Sequence, residues 1–360
     1  MKVLYIIDQS VEEGLTSGII QKIQGKIRYW DECGVTVELL SLYNFKLYSS
    51  ELNLIDKSNS FKLKKHTKIN TLIRLIFSTY KLKKHISHFD YDLFYMRTRL
   101  YIPFYKNIFN KRKLILELNS NDLAEFKLMP WPVYIYHRIT RQFLYSSATA
   151  FVSVSDELTT LYDKFNLRTC TIANGIDLEA YKYYSCPVNK RPKIVFMGSP
   201  GYCWHGIDKI QYLASELVDF DFYIYGVEGK DSENIYYKGY LNGDLLRSEL
   251  ALYDIGISTL SLHEKNMEEA SPLKSRQYMA HGIPFIYAYD DTDLVGNEKF
   301  TLKIPNSKNN VKEALVEIKS FIVSSLRNER RREEARSFAC EKIESLKKEA
   351  IRINFFKSIL

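Results

Sequence analysis

The chain has 360 residues, which is too long for one compact core, and its 46% hydrophobic and 26% charged content is typical of a globular protein. The five cysteines are scattered without a Cys-x-x-Cys pair, so they suggest neither a disulfide framework nor a zinc site, and they favour a reducing compartment. The net charge of +8 admits nucleic acid, a membrane surface or an anionic substrate as a partner. We interpret the start of the sequence as a first strand rather than a signal peptide, and no run approaches the roughly 18 apolar residues of a membrane-spanning helix.

The first 180 residues alternate short apolar runs with amphipathic stretches. A Gly-containing loop over 9–18 is predicted to lead into a helix that ends near Asp31. Short runs that are each followed by a loop and a helical pattern are typical of parallel strands with crossover helices. The predicted strands of this part are 2–8, 35–42, 92–97, 113–119 and 149–155.

A second series of short strands follows a proline-containing stretch, and helices are predicted over 207–217 and 244–253. The predicted strands are 193–198, 221–226, 234–239, 254–259 and 284–289. The pattern indicates an α/β protein with two Rossmann-like domains whose strand ends face across a cleft that closes on a ligand. We place the domains at 1–182 and 187–342, and we expect a C-terminal helix over 343–360 to return to the first domain.

Three glycines follow strands of the second domain: Gly198, Gly226 and Gly239. Each marks a tight turn where backbone can approach a ligand, although any single one is explained by turn chemistry. Three in one sheet favour a nucleotide-shaped ligand. In the first domain, Gly14 and Gly18 flank a loop that is a weak candidate for a phosphate or sugar cradle. The absence of a GxGxxG motif argues against a dinucleotide cofactor.

The stretch EASPLKSRQ (269–277) predicts an anion site at the start of a helix. Ser271 is a candidate N-cap and Pro272 fits the first turn. The free N–H groups and the dipole of a helix start favour an anion such as a diphosphate. Lys274 in that first turn opposes the dipole, so we expect it to pair with an anion; a solvated surface lysine is the alternative. Gln277 lies on the same helical face.

The positive charge is concentrated in residues 58–89, which contain eight Lys or Arg, three His and no acidic residue. Its apolar centre predicts a helix that lies on an anionic leaflet, and a basic helix that is merely solvated is the alternative. Nucleic acid is disfavoured because the sequence contains no reading motif. We therefore expect a cytoplasmic protein with a peripheral contact to the inner face of the plasma membrane.

Five segments in the correct order resemble the GT-B fold glycosyltransferases, specifically the retaining family 4 group. The resemblance spreads over the whole chain, and the ordered set is more specific than any single match. The segments are FVSVSDEL (151–158), TIANGID (171–177), KIVFMGSPGYCWHGIDKI (193–210), KGYLNGDLLRSELALYDIGIST (238–259) and EASPLKSRQYMAHGIPFI (269–286).

The resemblance implies transfer of a hexose from a nucleotide-diphosphate sugar, with UDP as the expected nucleotide, in surface polysaccharide synthesis, with retention and without a metal or other cofactor. It implies a catalytic role for Glu269 on the donor sugar, for Lys274 on the diphosphate and for Asn119, which stands where relatives often have a histidine. Gln277 replaces the Glu that holds the ribose hydroxyls. The further donor-binding candidates are Gly14, Gly18, Gly198, His205, Gly226, Tyr240, Leu241, Ser271, Pro272 and Leu273.

Other positions depart from the family pattern. Ser199 and His205 stand where many relatives have an Arg and a Lys, and we expect Lys274 and the helix start to compensate. Arg97 and Glu117 are the acceptor-side candidates, with a purely structural role as the alternative. The acceptor implied is a glycan or a polyprenyl-linked molecule. A non-catalytic homologue that binds a sugar or scaffolds a partner, and a nucleotide-sugar epimerase of the same fold, remain alternative functions.

Overall fold

The computed structural model describes residues 1–14, 18–57, 68–241 and 243–360, and the chain divides into two units. Unit 1 comprises Met1–Ile172 and Glu349–Leu360, and unit 2 comprises Ala173–Lys348. The predictions that concern residues 15–17 and 58–67 lie outside the described residues.

Unit 1 is built on a mixed sheet in which β1 pairs in parallel with β2 and β5, and the ladder stays parallel to β8. The order is β4-β3-β2-β1-β5-β6-β7-β8, with β3 and β4 antiparallel at one edge. The five predicted strands are confirmed, and three short strands were not predicted. The strands are β1 (Lys2–Ile7), β2 (Thr36–Ser41), β3 (Lys46–Tyr48), β4 (Leu54–Asp56), β5 (Leu93–Arg97), β6 (Leu114–Leu118), β7 (Ala150–Ser153) and β8 (Arg168–Thr171).

The core of unit 1 is an aromatic cluster on one face of this sheet. Tyr5, Trp30, Tyr95 and Phe356 are all buried, and their ring centroids lie 4.9–5.7 Å apart in stacked, edge-on and tilted pairs. Residues 349–360 therefore complete the core of the unit. The helices of this unit are α1 (Val11–Gly14), α2 (Gly18–Glu32), α3 (Lys68–His88), α4 (Tyr105–Ile108), α5 (Asp122–Phe126), α6 (Trp131–Tyr145) and α7 (Asp156–Tyr162).

Unit 2 is built on a fully parallel sheet with the order β11-β10-β9-β12-β14-β16. The chain winds outward in one direction from β9 and in the other from β12, so the crevice outside their carboxyl ends is the topological switch point, where ligands bind in such sheets. The strands of unit 2 are β9 (Lys193–Met197), β10 (Asp221–Tyr225), β11 (Ile235–Tyr237), β12 (Ile255–Ile257), β13 (Glu269–Ala270), β14 (Phe285–Tyr287), β15 (Asp290–Asp291) and β16 (Thr301–Lys303); β13 and β15 pair with each other in a separate two-stranded sheet.

The helices of unit 2 bury apolar side chains against this sheet; in α8, for example, Ile210, Leu213 and Ala214 enter the core. They are α8 (Ile207–Glu216), α9 (Gly243–Glu249), α10 (Leu273–His281), α11 (Asn310–Glu313), α12 (Leu315–Ser325), α13 (Glu329–Phe338) and α14 (Ser345–Ile359), the last of which continues into unit 1. The predicted α/β class is confirmed in both units. Within the described ranges, no helix has the length and apolar content needed to cross a membrane.

Candidate functional site

Three glycines line the carboxyl edge of neighbouring strands in unit 2. The Gly198 N–H donates to Tyr225 O (3.0 Å), and the Gly226 N–H donates to Gly239 O (2.7 Å). Gly226 has φ +75°, and a Cβ there would lie 2.1 Å from the Gly198 carbonyl oxygen, so no other residue fits without moving the backbone. The strand ends after β9, β10 and β11 are therefore packed backbone to backbone at one edge.

His205 lies at the end of the loop that follows β9. It is buried, its Nε2 accepts from the Ser199 N–H (3.3 Å), and its ring lies edge-on to Phe196. Burial, and then the charges of Lys274 and Lys265, lower the pKa of His205 to about 2. The imidazole is therefore neutral throughout the physiological range.

The start of α10 differs from the prediction for Ser271. The N-cap is Pro272, and no side chain of the described residues caps the helix. The Ser271 hydroxyl instead accepts from the Asn174 N–H (2.8 Å), and the Asn174 amide donates to Ser271 O. This contact joins the TIANGID segment to the SPLK segment. Within the described ranges, no side chain hydrogen-bonds the first N–H groups of α10, which begins at Leu273.

Lys274 is half-buried in the first turn of α10. Its ammonium lies 4.0 Å from the centroid of Phe196 on β9 and 3.4 Å from Nδ1 of His205. Burial lowers the pKa of Lys274 to about 7. Within the part of the chain that the structure describes, no carboxylate makes an ion pair with this ammonium. The lysine therefore lies beside β9, one of the two strands of the switch point, with its charge uncompensated.

The contacts of His205 leave a surplus of hydrogen-bond donors here. A neutral imidazole has one donor and one acceptor nitrogen, so it can accept from only one group. When Lys274 is protonated, two donors nevertheless face it, the Ser199 N–H at Nε2 and the Lys274 ammonium at Nδ1. Together with the uncapped start of α10, this makes a site rich in donors, which is the environment that an anion requires.

A buried ion-pair cluster holds α10 from its other side. The Arg276 guanidinium is fully buried and pairs with Asp291 and with Asp293 (2.7 Å), while its Nε donates to Asn174 O (3.2 Å). Asp293 also pairs with Lys348. Since Asn174 also contacts Ser271, this cluster fixes the SPLK segment in place.

The underside of α10 packs directly onto β9 and β12. The single proton of the Tyr278 hydroxyl is shared between Val195 O (3.2 Å) and Ile257 O (3.1 Å), one carbonyl from each strand. A Cβ at Gly256 would lie 2.7 Å from the Tyr278 ring, so the glycine is what lets the helix approach. The contacts of Tyr278 thereby hold the first turn of α10 over the switch point.

The remaining donor-side candidates of unit 2 lie around α10 and β11. Glu269 is half-buried in β13, and Gln277 donates from Nε2 to the Tyr181 hydroxyl (3.2 Å). After β11, Tyr240 is 65% exposed and Leu241 is half-buried. Their roles toward a donor remain predictions.

In unit 1, Asn119 follows β6 in a loop that is anchored three residues later. Asp122 accepts two hydrogen bonds from Arg141, one from His137 and one from Tyr162, all at 2.6 Å. Burial alone would raise the pKa of Asp122, but these hydrogen bonds and the Arg141 charge hold it well below its usual range. The cluster fixes the loop, and the Asn119 Nδ2 is buried without a hydrogen-bond partner among the described residues.

The acceptor-side prediction for Glu117 is corrected. Its carboxylate is fully buried and accepts from the Tyr5 hydroxyl (3.0 Å) and from Lys26, with Lys22 at 4.0 Å. Burial would raise the pKa of Glu117, but the surrounding positive charges hold it well below its usual range. A carboxylate that is enclosed and paired in this way has a structural role and is not available to an acceptor.

Arg97 ends β5 in register with Glu117 and is half-buried. Its acceptor-side role remains a prediction. In the described part of the predicted loop 9–18, residues Val11–Gly14 form α1 and Gly18 begins α2, so both glycines lie at helix ends rather than in a loop.

Solved structures match the chain over its full length, whereas no family model and no curated protein matches it. Sucrose-phosphate synthase from Thermosynechococcus elongatus has a TM-score of 0.71 at 10% identity, with 100% of this chain and 99% of that chain covered. A glycosyltransferase from Rickettsia africae has a TM-score of 0.64 at 12% identity, with 99% and 98% covered. Anabaena HepE, solved in complex with UDP and glucose, has a TM-score of 0.64 at 11% identity, with 99% and 100% covered.

The chain has the GT-B fold. At 10–12% identity the likeness establishes the fold alone, and it confirms the architecture that the ordered motifs predicted.

Sequence reasoning on this GT-B chain missed the residues that hold the site. Arg276, Tyr278 and Asp122 were not singled out, although each is buried and hydrogen-bonded beside a candidate residue. One signal was available: the acidic run DDTD at 290–293 follows a buried strand and provides two partners for an arginine on the core face of the next helix back.

Proposed function

We propose that this protein is a retaining glycosyltransferase that moves a hexose from a UDP-sugar to a glycan or lipid-linked acceptor in surface polysaccharide synthesis. The observation that carries the proposal is Lys274, a cation held beside β9 at the switch point without a carboxylate partner among the described residues. The UDP and glucose bound by HepE, a protein of the same fold, support the choice of a UDP-sugar. No metal or other cofactor is part of the proposal.

The proposed reaction needs the leaving diphosphate to be stabilised. The bond from the sugar C1 to the phosphate oxygen breaks, and the acceptor oxygen bonds to C1 on the same face. The acceptor proton passes to the departing phosphate oxygen. Lys274 and the N–H groups at the start of α10 would stabilise the negative charge that develops on the diphosphate, since preorganised donors are most effective in a site shielded from water. Glu269 would bind hydroxyls of the donor sugar. Retention is tested by NMR of the product anomer, and an inverted linkage would contradict it.

We expect UDP affinity to fall as the pH rises above about 7. Only the protonated form of Lys274 attracts the diphosphate, and its pKa in the free protein is about 7. The loss is at most about tenfold per pH unit until the bound-state pKa is reached. Calorimetric titration with UDP between about pH 7 and 9 avoids the second ionisation of the terminal phosphate, which has a pKa of about 6.

Lys274→Arg is the control for this pH profile, because its guanidinium stays charged. A flat profile in the wild-type protein, or an equally steep one in Lys274→Arg, would show that Lys274 does not face the diphosphate.

Restoring the acidic residue of the family pattern is expected to tighten nucleotide binding. In Gln277→Glu the carboxylate would accept charge-assisted hydrogen bonds from the ribose hydroxyls, for a gain of about fivefold in UDP affinity. Gln211→Glu is the matched control, because Gln211 also donates to a tyrosine hydroxyl (Tyr237, 2.9 Å) but lies on α8. Unchanged affinity in Gln277→Glu would remove Gln277 from the ribose site.

The alternative of a non-catalytic, sugar-binding homologue is favoured by one observation. The Gln277 Nε2 already donates to the Tyr181 hydroxyl, which leaves only the uncharged carbonyl oxygen for a ribose, so ribose binding would be weak. A protein that binds UDP but releases no nucleotide from any donor would fit this alternative rather than transfer.

We also propose a peripheral contact with the inner face of the plasma membrane. The described part of the basic segment is α3, which contains five Lys or Arg residues and no acidic residue. Each Lys or Arg close to an anionic membrane surface contributes about 1 kcal/mol to membrane binding. Such a contact would bring the protein to a lipid-linked acceptor.

A further inference from the structure

Helix α3 presents apolar side chains to solvent. Ile73, Ile76 and Tyr80 recur at the spacing of one helical face and are 51%, 53% and 65% exposed. Leu75 and Leu82, on the other side, are buried in unit 1. A helix on a protein surface normally turns its polar face outward, so an exposed apolar stripe indicates that something covers it.

A cavity of about 720 Å³ opens beside this stripe, between α3, residues 100–104, α4 and α6 of unit 1. This volume is in the range of small-molecule sites, roughly 300–1,000 Å³. Its walls are almost entirely hydrocarbon and aromatic, with Ile76, Tyr80, Ile102, Phe104 and Val133 among the lining residues. A ligand that fills the cavity would find few polar partners, so the part that enters must be apolar.

Positive charge lies at the edge of the cavity. Lys83 is an exposed lining residue, and Lys84 next to it is also exposed. Neither makes an ion pair within the described ranges of the chain. An apolar interior with a cation, Lys83, at its margin matches an amphiphile whose head group is anionic.

Two further exposed aromatic residues lie near the cavity. Phe104 is a lining residue and is 66% exposed, and Trp131, which precedes the lining residue Pro132, is 72% exposed. Large aromatic side chains of this kind are characteristic of the interface between water and a bilayer. They favour a membrane over a second protein as the source of the occupant.

We propose that this cavity binds the hydrocarbon chain of an anionic membrane lipid, with Lys83 beside its phosphate head group. The inference deepens the membrane contact proposed above and does not depend on the donor site in unit 2. A partner protein would also cover an apolar face, but a recessed cavity of this volume suits a single chain better than a flat interface.

The test is co-sedimentation of the full chain with vesicles of phosphatidylcholine, with and without phosphatidylglycerol. Val133→Trp fills the cavity from α6, and Ile139→Trp is the matched control, because Ile139 is a 61% exposed residue of the same helix outside the lining. We expect Val133→Trp to weaken binding to anionic vesicles by about tenfold or more, and Ile139→Trp to leave it unchanged. Lys83→Gln should weaken it by about fivefold.

Direct occupancy is measured with a fluorescent long-chain fatty acid added below its micelle concentration. Binding by the wild-type protein and its loss in Val133→Trp are expected. The inference is overturned if Val133→Trp binds the probe and the vesicles as tightly as the wild-type protein. Equal binding to vesicles with and without phosphatidylglycerol also overturns it. So does the absence of binding to both kinds of vesicle, which is the result expected if the surface binds another protein. UDP affinity, measured in the same samples, separates these results from a failure of the proposed function.

Discussion

Replacing Lys274 by methionine is expected to lower donor turnover by about a hundredfold or more. Removing one preorganised donor to a developing negative charge typically costs a factor of about 10² to 10³ in kcat. Lys274 is a strong candidate for such a donor, because the neighbouring His205 is neutral and does not share the charge. UDP affinity should fall as well, because the diphosphate of bound UDP would contact the same ammonium before the reaction.

The same substitution should not destabilise the protein. In the described structure Lys274 makes no ion pair with a carboxylate, and burial lowers its pKa to about 7, so its charge is held at a cost. We expect the urea midpoint of Lys274→Met to be equal to or higher than that of the wild-type protein. Lys312→Met, at an exposed position of α11, is the control for both assays. Wild-type turnover in Lys274→Met would place the leaving group elsewhere.

Replacing Arg276 by methionine is expected to lower the free energy of unfolding by about 3–5 kcal/mol. Removing one partner of a buried ion pair leaves the other charge buried and uncompensated, which costs more stability than replacing both partners. Here the Arg276 guanidinium and the Asp291 carboxylate are both fully buried, and the loss of Arg276 also removes a partner of Asp293. Urea denaturation followed by circular dichroism measures the change.

Arg330→Met is the matched control for this loss of stability. Arg330 also pairs with a carboxylate, Glu334 at 3.1 Å, but its side chain is 80% exposed. Exposed pairs of this kind contribute about 0–1 kcal/mol, so a small change is expected. The double variant Arg276→Met with Asp291→Asn should recover part of the loss. A change below about 1 kcal/mol in Arg276→Met would mean that the cluster does not hold α10.

The fold could be predicted from local patterns because buried parallel strands have continuous apolar sequences. The residues KVLYII and KIVFM are buried along nearly their whole length, so each was recognisable as a strand without knowledge of its neighbours. The short strands β3 (KLY), β4 (LID) and β16 (TLK) could not be recognised in this way, because each contains a charged residue, whereas the equally short β11, β12 and β14 contain none.

The site could be predicted only where the backbone decides the chemistry. Gly226 is required by a positive φ and by the close Gly198 carbonyl, and both follow from a strand that ends in a tight turn. Ser271 and Glu117 were misjudged for a different reason. A hydroxyl before a helix and a carboxylate at a strand end can each hydrogen-bond either a neighbouring group or one distant in the sequence. Here Ser271 contacts the distant Asn174, and Glu117 contacts the distant Lys26.

The most direct test of the proposed function is nucleotide release from a panel of nucleotide sugars by the full chain. The panel contains UDP-, GDP- and dTDP-linked hexoses, and release is measured with and without an acceptor extract. The account predicts UDP release from at least one UDP-hexose, faster with acceptor present and strongly reduced in Lys274→Met. A folded wild-type protein that releases nucleotide from none of these donors would contradict it, whether or not it binds them.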